Sequence, residues 1–136
     1  MKYILILFYF ITVVTYSQSV TKDEIFGVWI CKRISLSETE PMSPEEKALA
    51  DNVKDGFIGS KFTLGEDEIF KIELPNASPE LLGMVEFLDK KSWQLKGNRI
   101  SISPKENLMH IDVTKGKGFL IFRLFETPFV LSMEKM

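Results

Sequence analysis

Apolar and polar positions alternate with a period of two along most of this chain, and that pattern predicts strands. The first long run is Phe26-Gly27-Val28-Trp29-Ile30-Cys31-Lys32-Arg33-Ile34. Phe26, Val28, Ile30 and Ile34 fall on one face, with Gly27, Trp29, Cys31 and Arg33 on the other. Both faces are largely apolar near its start, so this strand is expected to be covered on two sides. Further on, Lys61–Leu64 and Ile69–Leu74 alternate cleanly about Gly65-Glu66-Asp67-Glu68. They predict a hairpin with Phe62, Leu64, Phe70, Ile72 and Leu74 inward. From Lys91 the pattern is regular. Trp93 and Leu95, then Ile100 and Ile102, then Met109, Ile111 and Val113 point in, with turns at Lys96-Gly97-Asn98 and Pro104–Asn107. A hairpin at Lys115–Gly118 leads to Phe119–Phe125, apolar except for Arg123, and Phe129–Met133 is the closing strand.

Helical spacing interrupts this once. In Ser43-Pro44-Glu45-Glu46, Ser43 is a cap, Pro44 suits the first helical position and Glu46 completes a capping box. Leu49, Val53 and Phe57 then recur on one stripe, which predicts a helix lying across something apolar, ended by Gly56 or Gly59. Pro75–Pro79 breaks the chain. Pro79–Val85 reads as a short helical turn at best, with Met84–Leu88 as an alternative strand. About eight strands at close spacing predict an all-β, eight-stranded antiparallel up-and-down barrel with one helix inserted after the first strand. Closure removes sheet edges, and the apolar inward register predicts a dry interior.

Ahead of the first strand stands a different signal. Lys2 and the apolar run Tyr3–Val14 precede Thr15-Tyr16-Ser17, whose small residues suit cleavage before Gln18. The run is too short for a membrane span, which needs roughly 20 residues. The expected organisation is a signal peptide at 1–17 and a single domain at 18–136. The product is exported, periplasmic or extracellular, with no integral membrane segment after processing.

Composition adds limits. The 136 residues include 11 Phe, ample for one apolar core. The net charge is −2 with both signs interspersed, so nucleic acid is not an expected partner. A single cysteine, Cys31, forbids an internal disulfide.

Gly27-Val28-Trp29 at the head of the first strand, the meander of about eight strands and the short final strand together resemble the lipocalin family. The likeness is to the lipocalin-like (calycin) domains of exported bacterial proteins. It implies that Trp29 packs at the closed end of the barrel against an Arg from a late strand, for which Arg123 is the match. Gly27, Trp29 and Arg123 are then the barrel-closing set. The resemblance also implies binding of a small apolar ligand in the barrel mouth. Classical members place their helix after the barrel; here it follows the first strand. Phe62, Phe70 and Trp93 are the expected lining, with the helix near Phe57 as a lid that turns Leu49, Val53 and Phe57 toward the mouth. The alternative is a non-enzymatic protein-interaction module with a solid core, inhibitor-like or immunity-like, working through Glu38–Met42 and Pro75–Pro79.

Residue chemistry offers little to an enzyme. His110 and Asp112 share an outer strand face with no nucleophile paired to them. Cys31 has no neighbour that would lower its pKa. One His and one Cys do not make a zinc site. Glu66-Asp67-Glu68 lacks the spacing of a calcium loop, and Asn76-Ala77-Ser78 matches a glycosylation sequon. The reading is a protein that is not an enzyme, with no cofactor and no metal.

Overall fold

Period-two alternation needs a partner on each side of every strand, and the structure provides one by closing the sheet on itself. The structure is a computed structural model that describes residues 20–37 and 42–136. The expected signal peptide and most of the Glu38–Met42 loop lie outside the described residues. A short helix α1 (Lys22–Ile25) leads into β1 (Gly27–Leu36), followed by α2 (Pro44–Phe57), β2 (Lys61–Leu64) and β3 (Ile69–Glu73). Helix α3 (Pro79–Val85) and a 3-10 turn (Glu86–Leu88) precede β4 (Lys91–Lys96), β5 (Arg99–Ile102), β6 (Met109–Lys115), β7 (Leu120–Leu124) and β8 (Phe129–Lys135). The eight strands form a closed barrel in sequence order, and every neighbouring pair is antiparallel.

Strand β1 closes the ring. Its first residues, Gly27–Ile30, pair with β2, while Trp29–Leu36 pair with β8. A β-bulge lies between Cys31 and Arg33. It corrects the sequence-based phase of this strand. Trp29 and Cys31 are buried, and the extra residue, Lys32, brings Ile34 onto their face opposite the fully buried Leu131. The hairpin residues Phe62, Leu64, Phe70, Ile72 and Leu74 are all buried, as their alternation requires.

Ser43 caps α2 by accepting from the Glu46 N–H, with Pro44 in the first turn. The buried side of this helix is Ala50, Val53, Gly56 and Phe57, whereas Leu49 is 57% exposed. The stripe is thus turned by one residue at its start, and Leu49 does not face the mouth. The segment after Pro79 is helical over Pro79–Val85, as expected, and is capped by Ser78 accepting from the Leu81 N–H; the alternative strand at Met84–Leu88 does not form. Helices α2 and α3 meet where Gly56 lies against Leu81, and a Cβ there would also stand 3.3 Å from the Ala77 Cα.

The end of the barrel beside α1 is shut. Ile25 is fully buried there, and its carbonyl accepts from Trp29 Nε1 at 2.9 Å. Lys22 pairs with Glu68 at 2.9 Å, and Val20 N–H donates to Asn98 Oδ1 at 3.0 Å. Lys115 pairs with Glu24 and holds that carboxyl below its ordinary range. The cation over the Trp29 ring is Lys135, 5.8 Å from its centroid, not Arg123. Arg123 is exposed, opposite Asp112 and Val130 on the outer face of β7. Gly27 has φ +129°, and a Cβ there would stand 2.8 Å from Lys135 Cε. The glycine of the Gly-x-Trp motif therefore serves the backbone and the path of Lys135 to Trp29.

Gly27→Ala is expected to lower unfolding stability by about 1–3 kcal/mol, because alanine rarely adopts that backbone conformation. Arg123→Ala is expected to change it by less than about 0.5 kcal/mol. Urea denaturation of the two variants beside the wild type checks both; equal losses would contradict this assignment of the closed end.

Candidate functional site

An aromatic column fills the lower barrel. The Phe62 ring lies 5.7 Å from Phe70 edge-on and 6.1 Å from Phe122, and Phe122 lies 6.3 Å from Trp29. Phe62, Phe70, Trp93 and Phe122 are all fully buried. Above this column a pocket of about 310 Å³ opens at the end away from α1.

The pocket has walls from four parts of the chain and a floor from β2 and β3. Val53 and Phe57 of α2 form one wall, and Leu81, Met84 and Val85 of α3 the next, continued by Phe87 and Leu88. The turn before β6 brings Asn107 and Leu108, with Met109 and His110 behind them. The turn between β7 and β8 brings Leu124, Phe125, Glu126, Thr127 and Phe129. Phe62 and Ile72 make the floor. The two helices are held together at this rim by Asn52 Nδ2, which donates to the Ser78 hydroxyl at 3.2 Å. Asn76 Nδ2 donates to the Ile58 carbonyl at 3.1 Å, so both polar residues of the Asn76-Ala77-Ser78 sequon serve the rim.

Of the four expected lining residues, Phe57 and Phe62 stand at the pocket, with ring centroids 6.2 Å apart. Phe70 and Trp93 do not line it. Phe70 lies beneath Phe62 in the column. The Trp93 indole reaches down the barrel, where Nε1 donates to the Gly65 carbonyl at 3.1 Å and the ring packs edge-on against Phe26 at 5.9 Å. Inward register was readable from spacing; the level at which an inward side chain ends was not. The lining residues missed from sequence are those of α3 and of the last two turns. Their one signal was Ser78-Pro79, the same cap-and-proline pair that marked α2.

The polar side of the mouth is small. His110 Nδ1 lies 3.0 Å from the Ser101 hydroxyl, and Nε2 bonds to Asn107 Oδ1. An amide oxygen only accepts, so Nε2 is the donor to Asn107, while Nδ1 shares a hydrogen bond with the Ser101 hydroxyl. Both ring nitrogens are engaged. Thr127 Oγ1 donates to the Leu124 carbonyl at 2.7 Å and accepts from the Phe129 N–H at 3.2 Å. Arg99 clasps Asp112 through Nε at 2.8 Å and Nη2 at 3.3 Å, which raises the guanidinium pKa. The same guanidinium lies 4.6 Å from the Phe125 centroid and braces that ring.

Elsewhere, Asp67 accepts from the Ile69 N–H and Glu68 pairs with Lys22, so the acidic turn is taken up by its own hairpin and by α1. Among the described residues, no group of three or more His, Cys, Asp or Glu side chains is placed to hold a metal ion. No helix among them is long and apolar enough to cross a membrane. Comparison with family models, with curated proteins and with solved structures returns no match. The class defined by the architecture is an eight-stranded antiparallel barrel consistent with a calycin-like fold.

Burial raises the Cys31 thiol from 9.0 to about 11. Between those values the unfolded thiol loses its proton while the folded one keeps it, so its contribution to stability is lost as pH rises through that window. Cys31→Ala is therefore expected to lose less stability than the wild type from pH 9 to 11, measured by urea denaturation at each pH. A wild type and variant that decline in parallel would contradict the shift.

Proposed function

We propose that this is an exported, lipocalin-like protein that binds one small apolar molecule at the barrel mouth and performs no catalysis. The observation that carries the reading is the pocket of about 310 Å³ above a filled aromatic column. Ligand sites run from roughly 300 to 1,000 Å³ and are mostly apolar with a few polar groups, and this one falls at the small end. Its walls are largely phenylalanine, leucine, valine and methionine, and its polar residues come from two adjoining turns and the start of β6. Met84, Phe87 and Phe125 are 57%, 48% and 44% exposed at the rim, where an apolar guest would cover them. An interaction module with a solid core is the weaker reading, because the upper barrel is not solid. The absence of catalysis is supported by the engaged His110 ring and by the buried, high-pKa thiol of Cys31.

Neither tryptophan lines the pocket, so an external probe is needed to test this. N-phenyl-1-naphthylamine, an uncharged dye that brightens in apolar sites, is expected to bind saturably at one site and to be displaced by decanol. Val85→Trp puts an indole into the mouth and is expected to weaken dye binding at least about tenfold, a loss of roughly 1.4 kcal/mol. Near-ultraviolet circular dichroism confirms that the variant is folded. Dye that never saturates, or that binds folded Val85→Trp as well as wild type, would overturn the proposal.

A further inference from the structure

We infer that the guest carries an amine on its apolar body, an inference that rests on the mouth-binding reading above. Few polar groups at the mouth are free. Thr127 and His110 are satisfied within the protein, and the Asn107 side-chain oxygen is taken by His110. What remains is the Glu126 carboxylate, which makes no hydrogen bond or ion pair among the described residues, together with the Asn107 amide N–H groups. Among the described residues, no Lys or Arg lines the pocket.

The Arg99 guanidinium does not change this balance. Arg99 lies against the Phe125 ring but outside the pocket lining, and its charge is matched by two bonds to Asp112. An alkyl carboxylate entering the mouth would therefore meet an unpaired like charge and no cation. An ammonium group would meet the opposite charge of Glu126 and the half-exposed ring of Phe87, whose face attracts cations. Its apolar body would lie on Phe57, Phe62 and Leu108 below. A neutral alcohol gains the apolar contacts and the Asn107 amide but not the charge.

Three ligands of matched chain length separate these cases: decylamine, decanol and decanoate, each competing with N-phenyl-1-naphthylamine at pH 7. Decylamine is expected to bind about fivefold more tightly than decanol, with decanoate weakest. Glu126→Gln is expected to bring the ratio of amine to alcohol affinity close to one, and Glu126→Lys to put decanoate ahead of decylamine. Glu126 is an exposed turn residue, so both variants are expected to fold. Decanol binding with no advantage for the amine, or an advantage that survives Glu126→Gln, overturns the amine assignment and leaves the apolar mouth standing. Failure of all three ligands to displace dye overturns both readings.

Discussion

The seam between β1 and β8 is the constraint on which the barrel depends. An antiparallel meander of eight strands has two free edges unless its first and last strands meet. Here β1 is ten residues long, too long for the four-residue β2 to cover, and its remainder takes β8. The bulge at Lys32 lets one strand serve both neighbours. Bulged strands bend, so Cys31 and Ile34 both face inward although they are three apart. The aromatic column stands inside this ring, with Trp29 from β1 and Phe122 from β7 in contact across it.

The two ends of the ring are finished by different means. At the closed end, short-range polar contacts fix a small plug: the Ile25 carbonyl to Trp29, Lys22 to Glu68, Lys115 to Glu24. At the other end the finishing pieces are α2 and α3, amphipathic elements whose apolar sides are only partly matched by the barrel beneath. The volume left between helices and column is the pocket. Its position follows from packing: large rings occupy the levels where strands are fully paired, and the helices cannot descend into them.

Much of the fold was legible in the sequence because alternation and turn chemistry are local. The hairpin around Gly65–Glu68 and the Ser43-Pro44 start of α2 needed no tertiary information. The failures share a cause. No glycine or proline marks the bulge at Lys32, so the phase of β1 reads wrongly past Cys31. Thr21 and Glu24 form a capping box, but on a helix of four residues, too short for periodicity to register. Arg123 was matched to Trp29 by its place in a late strand, yet the register of β8 brings Lys135 there instead. Trp93 points inward as expected, but its indole runs along the barrel axis away from the mouth. For the site, Phe57 and Phe62 were legible; α3, which forms a full wall, was obscured by two prolines and a glycine in a short span.

Strands β3 and β4 pair at only two positions, Ile69 with Ser92 and Phe70 with Lys91. Above them the Ile72 N–H donates to the Asp89 side chain at 3.0 Å instead of to a strand. The staves of the cask are therefore unglued along the upper half of one joint, directly beneath α3 and the 3-10 turn. Widening the upper cask along that joint would cost the Asp89 bond but no rung of a strand ladder.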